Sequence, residues 1–345
     1  MRWMASLVLL AASGCPAPTA AICDNGDICP ATSSCIPNAG CRIESDGGGG
    51  DDGGGGSDAS FDTWTSVSAG TSPLLGVWAS PEGTAYMLAS NGDVLVFDGT
   101  TVSPLAMPVP TVANHALIGI WGRTADEIYV AHDDRIHRWN GTAWVSALTN
   151  DENIKQQAGS ATLMMAVGNT FISYGDTAWH APMMVTNPAA SFVLRAVAVD
   201  QNTWVAVGSN VVLDGTGATQ ENGSTTGADY SGVAFAGSEV VVIGPQKNSK
   251  PGLFRLENHT SFIQEDAEVL TGYVDKPLYA VWGDASGALA VGDDAHIFRR
   301  SGQTWTQETT PTDCLTLAGV TVTATDELAV GSGRNGGCFL RRTKH

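Results

Sequence analysis

From residue 61 to the C-terminus the chain alternates short apolar runs with turn residues, and the same order of runs returns several times. One recurring anchor is an apolar run with a small residue before its key position. It reads Leu75-Gly76-Val77-Trp78, Ile118-Gly119-Ile120-Trp121, Arg195-Ala196-Val197, Ser231-Gly232-Val233, Tyr279-Ala280-Val281-Trp282 and Ala318-Gly319-Val320. Successive anchors lie 43, 77, 36, 48 and 39 residues apart; the 77 is close to two units, so one copy near residue 158 has lost its first-run signature. A second anchor supplies it. Val167-Gly168, Val207-Gly208, Ile243-Gly244, Val291-Gly292 and Val330-Gly331 stand 40, 36, 48 and 39 residues apart. The chain therefore carries seven copies of a unit about 40 residues long. Each copy holds four apolar runs. In the sixth they predict strands over 278–283, 288–292, 295–300 and 304–308. The links are Asp284-Ala285-Ser286-Gly287, Asp293-Asp294 and Ser301-Gly302-Gln303. Links of two to five residues carrying Gly or Asp are hairpin connections. The unit is thus a four-stranded antiparallel sheet, its strands lettered a to d in chain order.

Seven such units at this period are the signature of an all-β fold, the seven-bladed β-propeller, over residues 61–345. The seventh copy stops at its third run, 339–342, with no fourth run after it. Asp62-Thr63-Trp64-Thr65-Ser66-Val67 reads like the fourth run of the sixth copy, Gln303-Thr304-Trp305-Thr306-Gln307. Residues 62–67 are therefore expected to complete the last blade, closing the ring and covering an open sheet edge. Cys314 lies just before strand a of copy seven and Cys338 opens its strand c. Both ends fall on one face of a propeller, so a bridge between them is expected. The words Val281-Trp282-Gly283, Val291-Gly292-Asp293 and Gly302-Gln303-Thr304-Trp305 resemble the repeats of bacterial surface propellers. These are similar to the photosystem II assembly-factor propellers and, more distantly, to the Asp-box sialidase-type propellers. The turns 140–144 and 301–305 lack the Ser and Asp of an Asp box. The resemblance implies the fold and little about a ligand.

The N-terminal sixty residues follow other rules. Arg2, the apolar stretch 5–12 and the small residues that follow have the form of an export signal. Ala12-Ser13-Gly14-Cys15 resembles a bacterial lipobox, which implies a lipoprotein signal peptide over 1–14 and a lipid on Cys15. Pro16 after that Cys, by the same resemblance, implies the outer membrane or cell surface of a double-membraned bacterium. Cleavage after Thr19-Ala20-Ala21 would instead discard Cys15. Within 15–44, Cys23, Cys29, Cys35 and Cys41 stand six residues apart. Exported chains meet oxidising conditions, so two disulfides are expected there, and spacing does not say which cysteines pair. Residues 45–60 contain eight Gly and four Asp. Such a segment is a flexible linker with a span of about 20–24 Å.

Charge narrows the function. The 17 Lys and Arg stand against 35 Asp and Glu, a net charge of −18, which excludes a nucleic-acid partner. Arg135, Arg138, Arg255, Arg299, Arg300, Arg341 and Arg342 fall at matching strand-c positions. Strand c lies about 9–10 Å outside strand a, so these arginines are expected to pair with aspartates between blades rather than converge at the axis. Trp78, Trp121 and Trp282 recur in strand a, and Trp144, Trp179 and Trp305 in strand d, the regularity of packing residues. Asp93, Asp133, Asp134, Asp293 and Asp294 lie in the b–c turns, on the face expected to carry long loops over 103–116, 148–160, 183–191, 219–230 and 264–277. Long loops on a rigid scaffold are where binding concentrates, which makes these aspartates the candidate binding face, although Asp is also a turn former. The histidines show no metal or triad spacing, and the reading assigns no catalytic residue, metal or cofactor. It favours a monomeric, lipid-anchored binding or scaffold module for an envelope protein or polysaccharide, touching the membrane through its lipid alone. The alternative is a glycosidase or lyase with a close carboxylate pair at the axis. Assembly of a membrane complex is a third reading, on fold analogy alone.

Overall fold

The computed structural model describes residues 63–344, except 112–114, 150–152, 170, 177, 181–182, 186–191, 246–250, 258–260, 266–269 and 271–275, together with 21–22, 28–29, 33–36 and 40–43. The chain divides into two units, Met1–Asp58 and Ala59–His345. In the first, Ala21–Ile22 pairs with Ile28–Cys29, and Ser33–Ile36 with Gly40–Ile43, both antiparallel, with Cys35 opposite Cys41 in register. The signal segment 1–14, Cys15, Cys23, the bridges expected within 15–44 and the linker 45–60 lie outside the described residues.

The second unit is a ring of seven antiparallel sheets, with no helix among the described residues. Innermost strands are Leu74–Ala79, Leu117–Thr124, Ile154–Gly159, Val193–Asp200, Gly232–Ala236, Leu278–Asp284 and Cys314–Val322. The copy whose signature had faded is blade three, beginning at Ile154. In blade six the strands run Leu278–Asp284, Gly287–Gly292, Ile297–Ser301 and Thr304–Glu308, within two residues of the expected bounds. Strand c opens at Ile297 rather than at 295 because Asp294 and Ala295 both take φ 54°, which holds them in the turn.

Blade four departs most from the pattern. Thr203–Thr216 is one 14-residue element that pairs with Val193–Asp200 through its first half and with Thr219–Asp229 through its second. The Trp204 indole N–H nevertheless donates to the Gly217 carbonyl at 3.1 Å. Along an unbroken strand those residues would stand about 43 Å apart, so the chain folds back at Asn210, whose φ is 61°. Strands b and c are thus both present, joined without a loop. Thr219–Asp229, read from sequence as a loop, is the outermost strand of this blade. An outermost strand completes its ladder from one side and needs no apolar run to do so, and this one has none.

The ring closes as the repeat arithmetic requires. Thr65–Ser66 pairs with strand c of blade seven, Ser66 opposite Leu340 and Thr65 opposite Arg341. A side-chain buckle recurs there. At the seam between blades five and six, Arg300 grips Glu265 through Nε at 2.6 Å and Nη2 at 2.5 Å, and the Trp305 indole N–H donates to Glu265 at 2.9 Å. At the closing seam Arg342 bonds Glu308 at 2.5 Å, the Trp64 indole N–H donates to Glu308 at 2.7 Å, and the Arg342 guanidinium lies 5.1 Å over the Trp64 ring. Arg from strand c and Trp from strand d of one blade thus hold a Glu at the end of the preceding blade. Residue Trp64, more than 240 positions upstream of Glu308, fills the role that Trp305 plays one blade earlier. The Cys314–Cys338 disulfide ties strand a of blade seven to its strand c, with Cα atoms 5.5 Å apart.

Aromatic residues fill the gaps between blades. Trp78 stacks on Tyr86 and Trp121 on Tyr129, and each indole presses on a glycine of the next blade. A Cβ on Gly122 would lie 2.8 Å from Trp78 ring carbons, and one on Gly159 would lie 2.5 Å from those of Trp121. Those glycines are seats for the recurring tryptophans.

Candidate functional site

The seven innermost strands enclose a central cavity of about 710 Å³. Its wall is mostly backbone and small or apolar side chains; the carboxylates in it are Asp200, from blade four, and Asp284, from blade six. Asp284 accepts from the N–H and hydroxyl of Ser286, so its carboxylate closes its own turn.

At the loop-rich end of this cavity the strands break register at one repeated level. A β-bulge isolates Leu75, Ile118, Lys155, Arg195, Tyr279 and Ala318, one from each blade except the fifth. Bulges re-aim the extra residue and recur beside binding sites. Leu75, Ile118 and Ala318 line the cavity, whereas Arg195 and Tyr279 stand exposed at its rim. Two of the six bulged positions carry cations, on neighbouring blades three and four. Lys155 Nζ reaches the Asn153 amide oxygen at 3.4 Å and Arg195 Nε donates to the Ser209 hydroxyl at 3.1 Å; neither meets a carboxylate among the described residues. The seven strand-c arginines all do: Arg135 with Asp134, Arg138 with Glu127, Arg255 with Glu239, Arg299 and Arg342 with Glu308 and Glu327, Arg300 with Glu265, and Arg341 with Asp326. Of these, Arg299, Arg300 and Arg342 pair across blades, and with glutamate rather than the expected aspartate; Arg135, Arg138, Arg255 and Arg341 pair within their own blade instead.

The five turn aspartates divide. Asp93 belongs to its turn, its N–H bonded to Asn91 while its carboxylate takes the Asn91 amide. Asp294 is held by Lys276, which keeps its carboxyl below the usual range. Asp293 accepts from the Thr316 hydroxyl at 3.1 Å, and its backbone oxygen bonds the His296 ring at 2.7 Å. Asp133 and Asp134 meet something the sequence did not bring together with them. His115, from the loop entering blade two, places Nδ1 2.7 Å from Asp133 Oδ1 and 3.4 Å from Asp134 Oδ1. Arg135 forks the other side of Asp134 through Nε at 2.9 and 3.1 Å, and holds that carboxyl below its ordinary range. The next pair inward, His132 and His137, is buried with the rings edge to face at 5.2 Å. Among the described residues no ring nitrogen of either has a hydrogen-bond partner, and burial pushes both below the ordinary histidine range.

The fold and this face define a seven-bladed propeller with a bulge-ringed central mouth. No protein-family model and no characterised protein sequence matches the chain. Among solved structures it is similar to YCF48 from Cyanidioschyzon merolae, a photosystem II assembly factor, with TM-score 0.57 and 15% identity over 82% of this chain and 99% of that one. It is similar too to YCF48 bound to D1 peptide, with TM-score 0.59 and 11% identity over 83% and 98% of the two chains. Virginiamycin B lyase from Staphylococcus aureus gives TM-score 0.64 and 11% identity over 83% and 100%. These likenesses show the fold, the seven-bladed propeller expected from the repeats.

Proposed function

We propose that this chain is a cell-surface binding module, held in the outer membrane by a lipid on Cys15, whose propeller mouth seats an acidic segment of another envelope protein. The observation that carries this reading is the pair Lys155 and Arg195. In a chain of net charge −18, whose strand-c arginines are all neutralised, two cations stand at equivalent bulges on adjacent blades without a carboxylate among the described residues. Leaving them so favours an anionic group supplied from outside, because charge-assisted contacts are the strong ones. Leu75 and Ile118 on the neighbouring blades offer apolar contact to the same segment. A propeller of this shape, YCF48, has been solved with a peptide bound, which makes a protein partner the natural choice over a polysaccharide. The carbohydrate-enzyme reading has less support. Its carboxylates would be Asp200 and Asp284, which rise from blades with another blade between them.

Solubilised envelope passed over the immobilised full chain tests the reading. Saturable, salt-sensitive retention of a protein is expected. Reversing both charges (Lys155→Glu with Arg195→Glu) should weaken it about 100-fold, each lost contact of about 1.4 kcal/mol being a factor of ten. Lys344→Glu, a charge reversal beside the Thr323 turn at the opposite end of blade seven, should leave it unchanged. Equal retention by the double variant would refute the mouth as the seat. Retained polysaccharide would replace the partner class, and shortened glycan in the flow-through would favour the enzyme. The anchor is read from the same preparation by intact mass. Loss of residues 1–14 with added acyl mass is expected, and a chain starting at Ile22 would overturn it.

A further inference from the structure

We propose that His115, Asp133 and Asp134 form a binding site for a single divalent first-row transition cation such as Zn²⁺, on the loop-rich face of blade two. One ligand atom from each of these side chains lies within 4.8 Å of the other two. A tetrahedral ion with bonds of about 2.0–2.2 Å spaces its ligand atoms about 3.4 Å apart. The His115–Asp134 edge already measures 3.4 Å, and the His115–Asp133 edge, at 2.7 Å, has to open by less than an ångström. The donor set selects the ion. Imidazole nitrogen beside two carboxylates suits zinc and its neighbours, whereas calcium and magnesium take oxygen shells.

The frame around these ligands is fixed in advance. The Asp133 N–H donates to the Ala116 carbonyl at 3.0 Å, and the Asp133 carbonyl accepts from the Ile154 N–H at 2.7 Å. The turn is therefore pinned to the segment carrying His115 on one side and to blade three on the other. Arg135 holds Asp134 through both carboxylate oxygens, its Nε shared between Oδ1 and Oδ2 and its Nη2 on Oδ2, while Oδ1 also faces His115. An outer partner that orients a ligating carboxylate is a regular feature of metal sites. His132, which directly precedes Asp133, has no exposed surface and no hydrogen-bond partner on either ring nitrogen. Its ring packs edge to face on His137 at 5.2 Å and is not one of the three ligands. Blade six supplies the contrast. Its two-acid turn has the same sequence, but Asp293 is spent on Thr316, Asp294 on Lys276, and His296 Nδ1 on a backbone oxygen.

The test is calorimetric titration of the full, oxidised chain with ZnCl₂, paired with Co²⁺ absorption spectra to report a nitrogen and oxygen shell. Wild-type chain should bind one Zn²⁺ in the micromolar range or tighter at this site. His115→Gln and, separately, Asp133→Asn should each weaken it at least 100-fold, while Asp293→Asn leaves it unchanged. The metal-free thermal midpoint of each variant identifies any that fails to fold, and Asp134→Asn then stands in for it. Equal affinity in wild type and the triad variants, cobalt spectra of a thiolate shell, or no binding at up to millimolar Zn²⁺ would each overturn the site.

Discussion

Arg342→Ala is expected to destabilise the propeller by about 3 kcal/mol, because it leaves two buried carboxylates with Arg299 as their one remaining arginine and a hydrogen bond to a charged group is worth about 1.5–3 kcal/mol. The size follows from what Arg342 holds. Its guanidinium bonds Glu308 of blade six and Glu327 of blade seven, both largely buried, while its face covers Trp64 of the closing segment. Removing it opens the single seam at which the ring is sealed by a segment distant in sequence. Urea denaturation measures the loss, and faster proteolysis at residues 61–67 locates it. The deficit should also depend on pH. Burial pushes Glu327 up to about 7, against the pull of Arg299 and with the push of Glu308. A carboxyl whose folded pKa is raised contributes stability that is complete below its unfolded pKa near 4.5 and is lost as pH rises through about 7. The protonated form needs no cation, so Arg342→Ala should cost less at pH 5 than at pH 8. A deficit independent of pH would mean that packing against Trp64, not charge, is what Arg342 supplies. Arg342→Met with Glu308→Gln and Glu327→Gln should then recover most of the stability only if charge is the cause.

Replacing both Cys314 and Cys338 by alanine is the second large effect. The bridge spans 24 residues within the blade that also receives the closing strand. Chain entropy for a loop of that size corresponds to about 3 kcal/mol. For a domain of this size the midpoint moves about 2–4 °C per kcal/mol, so the Tm should fall by about 6–12 °C. Differential scanning calorimetry on the double variant, with and without reductant, isolates this bridge from the cysteines at 23, 29, 35 and 41. A Tm within 2 °C of the wild type would show that the buckle alone secures the seam. Combined with Arg342→Ala the loss should exceed either variant's, because the two devices hold different strand pairs of blade seven.

Much of this was legible in the chain because a repeat protein writes its architecture several times. Each unit buries its apolar runs only against its neighbours, so Val-Gly anchors and hairpin turns have to return at a fixed interval. Even a copy with a faded first run, at Ile154–Gly159, was located by its second. The missing fourth run of copy seven and the surplus run at 62–67 implied each other, and the Trp64 buckle shows why: the seam needs a Trp, and only that segment was left to supply one. The Cys314–Cys338 bridge followed from the same positional logic. Blades three and four were the failures: the stretch 148–160 read as a loop contains the innermost strand Ile154–Gly159, whose Lys and Gln residues hide its apolar pattern. Gly, Thr and Asn over 219–229 read as a loop, because a polar outermost strand carries no hydrophobic signal.

Sequence alone therefore determined the all-β class, the seven blades, the closing strand and the disulfide, all of which are periodic or countable. Tertiary structure alone decided which cations meet no carboxylate among the described residues, and which histidine meets which carboxylates. Lys155 and Arg195 look like any other surface charges until the bulges put them on adjacent blades at one mouth. His115 lies 18 residues from Asp133 at no motif spacing, and reaches it because an entering loop and a b–c turn end on the same face. Local pattern fixes where strands begin and turn, since propensity and burial act over a few residues. Which side chains from separate blades converge depends on the curvature and stagger of the closed ring, a property of all seven units together.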